Sequence, residues 1–267
     1  MTAPRVALPE PDYVPPHDLL AGQVVVLTAA AGAGIGVATA RRCLEEGARA
    51  VVISDTHERR LAETAAMLVA DFGSGRVAAA RCDVTDPAQV ESLLNAAEPF
   101  GGVDVMINNA GLGGTASILE MTDEQWAAVL RVTLDGTFHC VRAAGRRMVS
   151  AGTQGVIVNN ASVVGWRAQE GQAHYAAAKA GVMALTRCAA MDLAEHGIRV
   201  NAVSPSLATH PFLAKVTTPE LLAELEGREA FGRAAQPWEI ANVIVFLASG
   251  YSSYMTGEVV SVSSRHP

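Results

Sequence analysis

The chain contains 267 residues, 50% of them apolar, and carries a formal net charge of −7 at pH 7. This size and composition predict one large soluble α/β domain, and the acidic balance excludes a basic nucleic-acid-binding surface. The apolar runs are too short to span a bilayer and no secretion signal is visible, so we expect a cytoplasmic protein without a membrane partner. Three isolated arginine pairs are typical of solvated helix faces. They are Arg41 with Arg42, Arg59 with Arg60, and Arg146 with Arg147.

The chain begins with a proline-rich arm and continues as alternating apolar runs and helical patterns. Residues 1–19 contain five prolines, which disfavour a regular helix and predict an extended arm that is mobile or lies over the surface. Residues 20–267 are predicted to form a single domain. Seven strands with helical crossovers imply a Rossmann-type, doubly wound parallel sheet with helices on both faces. The predicted strands cover residues 24–27, 50–54, 77–82, 103–107, 155–159, 199–203 and 258–262.

Two long helices are predicted in the second half of the chain. Residues 123–147 carry apolar side chains such as Trp126, Val129 and Phe138 at mixed spacings of three and four, and Thr122 precedes them as the expected N-cap. Residues 172–195 are rich in alanine and end before Gly197, a suitable C-terminal stop.

A glycine-rich turn follows the first predicted strand and leads into a predicted helix over residues 37–46. The turn offers Gly32, Gly34 and Gly36. In a dinucleotide-binding fold, such glycines let the backbone approach the pyrophosphate, whose charge the helix N-terminus stabilises. A tight turn without any ligand is the simpler interpretation of a glycine cluster alone. The residues of the next strand are therefore needed to distinguish it from a dinucleotide-binding turn.

That second strand leads to Asp55, nineteen residues after Gly36. A carboxylate at this position accepts hydrogen bonds from the adenosine ribose hydroxyls and repels a 2′-phosphate. The sequence therefore predicts NAD rather than NADP. Two alternatives stay open: the acid opens an exposed turn, or Arg59 or Arg60 reaches a phosphate.

Four further motifs follow the later strands. Asp83 and Val84 come after the third strand, residues 108–111 read Asn-Asn-Ala-Gly after the fourth, and residues 201–205 read Asn-Ala-Val-Ser-Pro. In the fourth motif, Ser162 stands thirteen residues before Tyr175, and Lys179 follows that tyrosine by one helical turn. With the glycine turn, these motifs make the chain resemble a short-chain dehydrogenase/reductase of the standard length class, from Leu20 to the C-terminus.

The resemblance implies a role for each matching residue. Tyr175 would be the proton donor or acceptor, Ser162 would hydrogen-bond the substrate oxygen, and Lys179 would hold the nicotinamide ribose hydroxyls. The resemblance also implies a homotetramer whose two long helices pair across subunits. The dinucleotide-binding positions that it implies are Gly32, Gly34, Ile35, Gly36, Asp55, Asp83, Val84, Asn109, Tyr175, Lys179 and Ala208.

The chain departs from the family pattern at several positions. Thr133 stands where a helix asparagine usually completes the catalytic set; its hydroxyl either holds a water or belongs to a packing residue. Ala29 replaces the usual glycine after Thr28 in a lengthened turn. The threonine that often contacts the nicotinamide falls one position early, at Thr209, with His210 in its place. Residues 263–265 replace the usual acid-or-amide, Gly-Gly sequence near the C-terminus.

Some departures resemble a bacterial subgroup associated with steroid breakdown, whose members act on CoA thioesters of the last two steroid rings. Trp166 and Arg167 follow Ser162, and they either form an apolar wall with an anion-binding group or lie on the surface. Residues 207–231 are predicted to form a lid, and their apolar content indicates a greasy substrate. The four scattered cysteines predict reduced core thiols and no metal site. They are Cys43, Cys82, Cys140 and Cys188.

Three classes of function follow. The first is an NAD-dependent oxidoreductase that interconverts a secondary alcohol and a ketone on a bulky, apolar, steroid-derived CoA thioester. The second is a 3-oxoacyl-thioester reductase that uses NADPH, against which Asp55 argues. The third is a non-catalytic dinucleotide sensor, for which loss of Tyr175 or Lys179 is the expected mark; both are present.

Overall fold

The computed structural model describes residues 7–209 and 219–265 of the chain. Within them, seven parallel strands form one sheet in the order β3-β2-β1-β4-β5-β6-β7, which confirms the predicted Rossmann-type doubly wound sheet. The strands are β1 (Val24–Leu27), β2 (Ala50–Asp55), β3 (Val77–Arg81), β4 (Val105–Asn108), β5 (Val156–Asn160), β6 (Arg199–Pro205) and β7 (Val259–Val262).

Helices cover both faces of the sheet, which explains why its strands read as nearly continuous apolar runs. The helices are α1 (Ile35–Glu45), α2 (Glu58–Phe72), α3 (Pro87–Asn95), α4 (Asp123–Leu130), α5 (Gly136–Ala151), α6 (Ala173–Leu193), α7 (Pro219–Arg228) and α8 (Pro237–Ala248). Val25 and Leu27 of β1 pack in one buried cluster with residues of α1, α2 and α8, and Val24 and Val26 pack in the opposite cluster with residues of α3, α5 and α6.

The helix predicted over residues 123–147 is interrupted by a π-helical segment, Arg131–Asp135, between α4 and α5. Thr122 caps α4 as predicted, in a capping box with Gln125. Trp126 and Phe138 are 39% and 41% exposed, although their spacing matches an apolar face. A π segment changes the number of residues per turn, so a single 3.6-residue period cannot describe the side chains before and after it.

The second long helix, α6, ends as predicted in front of Gly197, which adopts a left-handed conformation with φ 70°. Its flank contradicts one expectation. Cys188 is exposed, whereas the other three cysteines are buried as expected of core thiols. Among the described residues, no helix combines the length and the apolar content that crossing a bilayer requires.

Arg42 contradicts the expectation of a solvated helix face, because the structure buries it in an ion pair. Its guanidinium contacts the carboxylate of Glu46, one turn further along the chain, and both side chains are almost fully buried. Arg42 also donates hydrogen bonds to the carbonyl oxygens of Val14 and Pro15. The sequence spacing could not show that Arg42 is buried while Arg41 is not, because the carbonyl groups that bind Arg42 belong to the proline-rich arm.

The described part of the arm lies against the domain without forming a helix or strand. Glu46 Oε2 accepts hydrogen bonds from the main-chain nitrogens of His17 and Leu19, at 2.8 and 3.1 Å. The ring of Tyr13 packs edge-on against Trp238 of α8, with ring centroids 5.3 Å apart. The predicted lid over residues 207–231 includes residues 210–218, which lie outside the described residues.

Candidate active site

The candidate site lies at the carboxyl edge of the sheet, where β1 and β4 are neighbours and the strand order reverses. In open α/β sheets, ligands bind in the crevice that forms at such a reversal. The glycine turn leaves β1 at this edge, and residues 108–111 leave β4 beside it. The topology therefore brings together the motifs that the sequence places about eighty residues apart.

The glycine turn packs so closely on the first helix that only glycine fits at position 36. A Cβ atom on Gly36 would lie 2.2 Å from the carbonyl oxygen of Ala29 and 2.9 Å from the Cα of Ala30. Gly32 has a positive φ of 89°, which side chains rarely adopt. Ala29 also has a positive φ, 52°, so the alanine that replaces the usual glycine holds a conformation that favours glycine.

Hydrogen bonds fix the turn to the loop after β4. The hydroxyl of Thr28 accepts from the main-chain nitrogens of Asn109 and Ala110, both at 3.0 Å. The side-chain amide of Asn109 donates to the carbonyl oxygen of Ala29 at 2.9 Å. Asn109 is thus fixed between the two loops that line the crevice, which is where a dinucleotide-binding residue is expected.

Asp55 lies beside the glycine turn, as its position in the sequence predicts. Its carboxylate accepts hydrogen bonds from the main-chain nitrogens of Ala31, at 3.3 Å, and His57, at 2.9 Å. Arg60 borders the same turn, since its Cδ lies 3.8 Å from where a Cβ on Gly32 would be. The close-packed turn with an acid at its rim fits a bound dinucleotide.

The remaining dinucleotide-binding candidates lie at the ends of β3 and β6. The Asp83 carboxylate accepts a hydrogen bond from the nitrogen of Thr85 at 2.9 Å, and Val84 is buried. Ala208 is buried and forms an isolated parallel bridge with Ala235. The main-chain nitrogen of Thr209 donates a hydrogen bond to Ala235 O at 2.9 Å. His210 lies outside the described residues.

Ser162, Tyr175 and Lys179 meet at the end of β5. Ser162 Oγ accepts a hydrogen bond from Val164 N at 3.3 Å, and the Ser162 side chain lies near enough to Tyr175 to lower its pKa by hydrogen bonding. Tyr175 and Lys179 occupy one face of the first turns of α6, and the lysine Nζ lies 5.6 Å from the centroid of the tyrosine ring. The arrangement offers two hydroxyls for one oxygen atom and an amine beside them.

Burial changes the acidity of both ionisable groups. It raises the pKa of Tyr175 above its usual 10.0, although the hydrogen bond with Ser162 opposes the change. It lowers the pKa of Lys179 from 10.5 to about 8. Each shift disfavours the charged form of its own group. Because a phenolate and an ammonium attract each other, each charged form is most favourable when the other residue is also charged.

The lowered lysine pKa predicts how stability depends on pH. Between pH 8 and 10.5 the unfolded chain binds more protons at Lys179 than the folded protein, so the free energy of unfolding rises with pH across this window. Lys179→Met lacks this dependence. We expect the stability of the variant relative to the wild type to fall by on the order of 2–3 kcal/mol between pH 7 and pH 10 in urea titrations. A constant difference would contradict the assigned pKa.

Thr133 is neither a simple packing residue nor a free hydroxyl. It is buried in the π-helical segment, and its Oγ1 accepts from Leu112 N at 3.0 Å and donates to Leu112 O at 3.2 Å. Its one donor is therefore used on the loop after β4. A Cβ on Gly111 of that loop would lie 3.4 Å from Lys179 Nζ, so the threonine holds the loop against the lysine.

Sequence reasoning missed Asn160, the last residue of β5. Its carbonyl oxygen accepts a hydrogen bond from Lys179 Nζ, and its side-chain amide donates to Asn109 Oδ1 at 2.8 Å. One signal was available: the sequence has Asn-Asn at the ends of both β4 and β5, and Asn108 and Asn159 pair across these strands at 2.8 Å.

The residues that follow Ser162 lie at the rim of the site. Trp166 is 42% exposed. Arg167 is partly buried, and its pKa is lowered by burial and by the neighbouring Arg265, while Glu229 opposes the change. His174 is buried at the beginning of α6, where its Nδ1 accepts a hydrogen bond from Tyr175 N at 2.9 Å.

Comparisons with known proteins agree with this geometry. Residues 29–264 match the family profile described as enoyl-(acyl carrier protein) reductase. The chain is 60% identical to the (5R,7aS)-5-hydroxy-7a-methyl-1-oxo-2,3,5,6,7,7a-hexahydro-1H-indene-carboxyl-CoA reductase of Mycobacterium tuberculosis, over 96% of this chain and 98% of the relative. It is 41% identical to the cis-4-hydroxycyclohexanecarboxylate dehydrogenase of Sinomonas cyclohexanicum, over 93% and 98% of the two chains.

A solved structure supports the same conclusion. The crystal structure of a short chain dehydrogenase from Mycobacterium smegmatis superposes with a TM-score of 0.85 at 56% sequence identity, and the match covers 96% of this chain and 98% of that one. The fold, the sequence and the residues at the carboxyl edge of the sheet thus support the same family assignment. The chain belongs to the short-chain dehydrogenase/reductase family, whose members use NAD or NADP, and is an oxidoreductase that acts on CH–OH groups.

Proposed function

We propose that this enzyme interconverts a secondary alcohol and a ketone on a bicyclic, steroid-derived CoA thioester, with NAD(H) as its cofactor. The observation that carries the proposal is the 60% identity, over nearly the full length of both chains, to a reductase named for a hexahydroindene-carboxyl-CoA substrate. The hydroxyl pair of Ser162 and Tyr175, with Lys179 beside it, supplies groups suited to that reaction. Turnover of such a thioester by the pure enzyme tests the proposal.

Tyr175 is proposed to move the proton and Ser162 to stabilise the reacting oxygen. In the reducing direction, Tyr175 donates its hydroxyl proton to the ketone oxygen as negative charge develops there, and in the oxidising direction its phenolate accepts the proton of the alcohol. Ser162 donates a second hydrogen bond to the same oxygen. A bound nicotinamide supplies the hydride donor or acceptor at this position.

Lys179 is proposed to assist Tyr175 through its charge. Burial raises the pKa of the tyrosine, so a phenolate needs a nearby cation to form near neutral pH. The ammonium of Lys179 lies close enough to stabilise it and is proposed to hold the ribose hydroxyls of the dinucleotide as well. Asn109 and the main chain of residues 32–36 would line the remainder of the dinucleotide site.

Removing the Ser162 hydroxyl should impair turnover more than dinucleotide binding. We expect Ser162→Ala to lower kcat by on the order of a hundredfold, because one preorganised donor to the developing charge is lost. The dissociation constant for NADH, measured by fluorescence titration, should change little. Ser253→Ala, at an exposed serine after α8, is the control. Equal losses in turnover and NADH binding would count against the assignment.

Asp55 is proposed to select NAD, because its carboxylate borders the glycine turn where a 2′-phosphate would bring a like charge. Asp55→Ser should therefore change the ratio of kcat/KM for NAD to kcat/KM for NADP by on the order of a hundredfold in favour of NADP. Arg60→Ala is the companion variant, because this cation borders the same turn. If the wild type prefers NADP and Arg60→Ala abolishes that preference, the NAD assignment is wrong.

The second candidate is an acyl-thioester reductase of lipid synthesis that uses NADPH. The description of the matching family profile, enoyl-(acyl carrier protein) reductase, and the position of Arg60 beside Gly32 favour it. Asp55 argues against it through repulsion of the 2′-phosphate. Kinetics with short 3-oxoacyl thioesters and NADPH separate the two candidates.

A homotetramer is the proposed assembly. Large apolar side chains lie exposed along the segment before α4 and on the α4 and α5 flank, including Leu119, Trp126 and Phe138. Exposed apolar patches of this kind mark protein–protein contacts. Light scattering of the pure protein tests the assembly, and a monomeric mass would exclude it.

A further inference from the structure

We propose that Asn160 is a positioning residue for Lys179: its main-chain carbonyl holds the lysine amine, and its side-chain amide connects that carbonyl to Asn109 and the glycine turn. The inference rests on the function proposed above, in which Lys179 acts beside Tyr175. It assigns a role to a residue that belongs to none of the motifs described in the sequence.

Three hydrogen bonds connect the amine to the turn in series. Lys179 Nζ donates to Asn160 O, Asn160 Nδ2 donates to Asn109 Oδ1 at 2.8 Å, and Asn109 Nδ2 donates to Ala29 O at 2.9 Å. Each bond joins groups from different elements of the fold. The position of the lysine amine therefore depends on the turn that is expected to contact the dinucleotide.

The carbonyl of Asn160 lies where the sheet ends, so the sheet holds its peptide group on one side only. Ala161 N, the donor of that peptide group, bonds Val203 O of β6 at 2.8 Å, and the chain then enters the short 3-10 turn Val163–Gly165. The side-chain bond to Asn109 is a second restraint close to the carbonyl. Asn160 Oδ1 is buried and has no hydrogen-bond partner among the described residues, so the amide bond to Asn109 is what orients this side chain.

The surroundings of Lys179 make the carbonyl important for the charge of the lysine. On its own helix Lys179 is faced by Tyr175, with His174 next to that tyrosine. The loop after β4 and the π-helical segment present Gly111 and the Thr133 hydroxyl. Burial lowers the pKa of the lysine, and no carboxylate contributes to the pKa within the described part of the chain. A carbonyl acceptor stabilises the ammonium form, so its loss disfavours that form.

Asn159 provides a matched control one residue earlier. It is also a buried asparagine of β5, but its side chain bonds Asn108 and Thr186 rather than the residues around the lysine. Its replacement removes two buried side-chain hydrogen bonds, against one in Asn160→Ala, and leaves the Lys179 contact in place. A general loss of stability should therefore affect both variants, whereas a change in the lysine should appear only in the Asn160 variant.

The titration of Lys179 tests the proposal without any substrate. The sequence contains two lysines, Lys179 and Lys215, so the protein labelled with carbon-13 lysine gives two side-chain signals, and Lys179→Met identifies the first. Asn160→Ala keeps the main-chain carbonyl and loses only its side-chain restraint. We therefore expect the variant to lower the titration midpoint of Lys179 by about half a unit to one unit, a fraction of the effect of losing a whole hydrogen bond to a charged group. Asn159→Ala should leave it unchanged, and Asn160→Ser is the milder variant if alanine prevents folding.

Kinetics of the same variants give the second readout. Asn160→Ala should lower kcat about three- to tenfold with a smaller change in KM, and should move the acidic limb of alcohol oxidation to higher pH. A wild-type titration midpoint and pH profile in Asn160→Ala, whatever its melting temperature, would overturn the proposal. If the wild type oxidises no alcohol but the lysine midpoint still falls, the proposed function fails while the positioning of Lys179 by Asn160 stands.

Discussion

Tyr175→Phe is expected to lower kcat by about 10²- to 10⁴-fold, because the variant keeps the ring and loses the group that transfers the proton. The ring occupies the space beside Lys179, so phenylalanine preserves the packing of the first turn of α6. NADH binding should therefore stay close to that of the wild type. Steady-state turnover together with fluorescence titration of NADH measures the two quantities separately.

A surface tyrosine provides the control for this variant. Tyr251 is 74% exposed and lies outside the crevice, so Tyr251→Phe should retain wild-type turnover. Substantial activity in Tyr175→Phe, within about tenfold of the wild type, is incompatible with the proposed proton transfer. A large loss of NADH affinity in that variant would instead indicate that the tyrosine mainly shapes the dinucleotide site.

Glu46→Ala is expected to lower the free energy of unfolding by about 3–5 kcal/mol, the cost of leaving one partner of a buried ion pair uncompensated. Arg42 would lose its close partner and keep only the carboxylate of Glu45, 3.8 Å away, and the main-chain nitrogens of His17 and Leu19 would lose their acceptor. The proline-rich arm should detach together with this contact. Urea unfolding of the variant and the wild type measures the difference.

An exposed pair with the same spacing is the control for this stability effect. Glu63 contacts Arg59 on α2, where both side chains are more than half exposed. Glu63→Ala should cost less than about 1 kcal/mol, because water screens exposed ion pairs. A loss of similar size in both variants would mean that the Arg42 and Glu46 pair is no more than a surface contact.

The fold could be predicted from the sequence because its strongest determinants are local. The strands of a parallel sheet are buried on both faces, so runs such as residues 24–27 stand out as nearly continuous apolar segments between helical patterns. The π-helical segment Arg131–Asp135 could not be predicted, since periodicity averages over a helix and does not reveal a local change of residues per turn. The burial of Arg42 depends on the distant arm.

The candidate site also contains residues that the sequence could predict and residues that it could not. Ser162, Tyr175 and Lys179 follow from side-chain motifs, and the structure places them together. Their chemical roles stay predictions. Asn160 could not be found in this way, because it holds the lysine through a main-chain carbonyl, a group that every residue possesses. The spacing of Thr133 located it near the site but could not show that Leu112 occupies its hydroxyl.

Substrate preference tests the central claim most directly. The pure enzyme should be assayed with a bicyclic hydroxy- or keto-indane carboxyl-CoA thioester and with a short 3-oxoacyl thioester, each with NAD(H) and NADP(H). We expect kcat/KM to be at least on the order of a hundredfold higher for the bicyclic thioester with NAD(H), a ratio of the size that pocket contacts provide. A preference for the short 3-oxoacyl thioester with NADPH would contradict the proposed function.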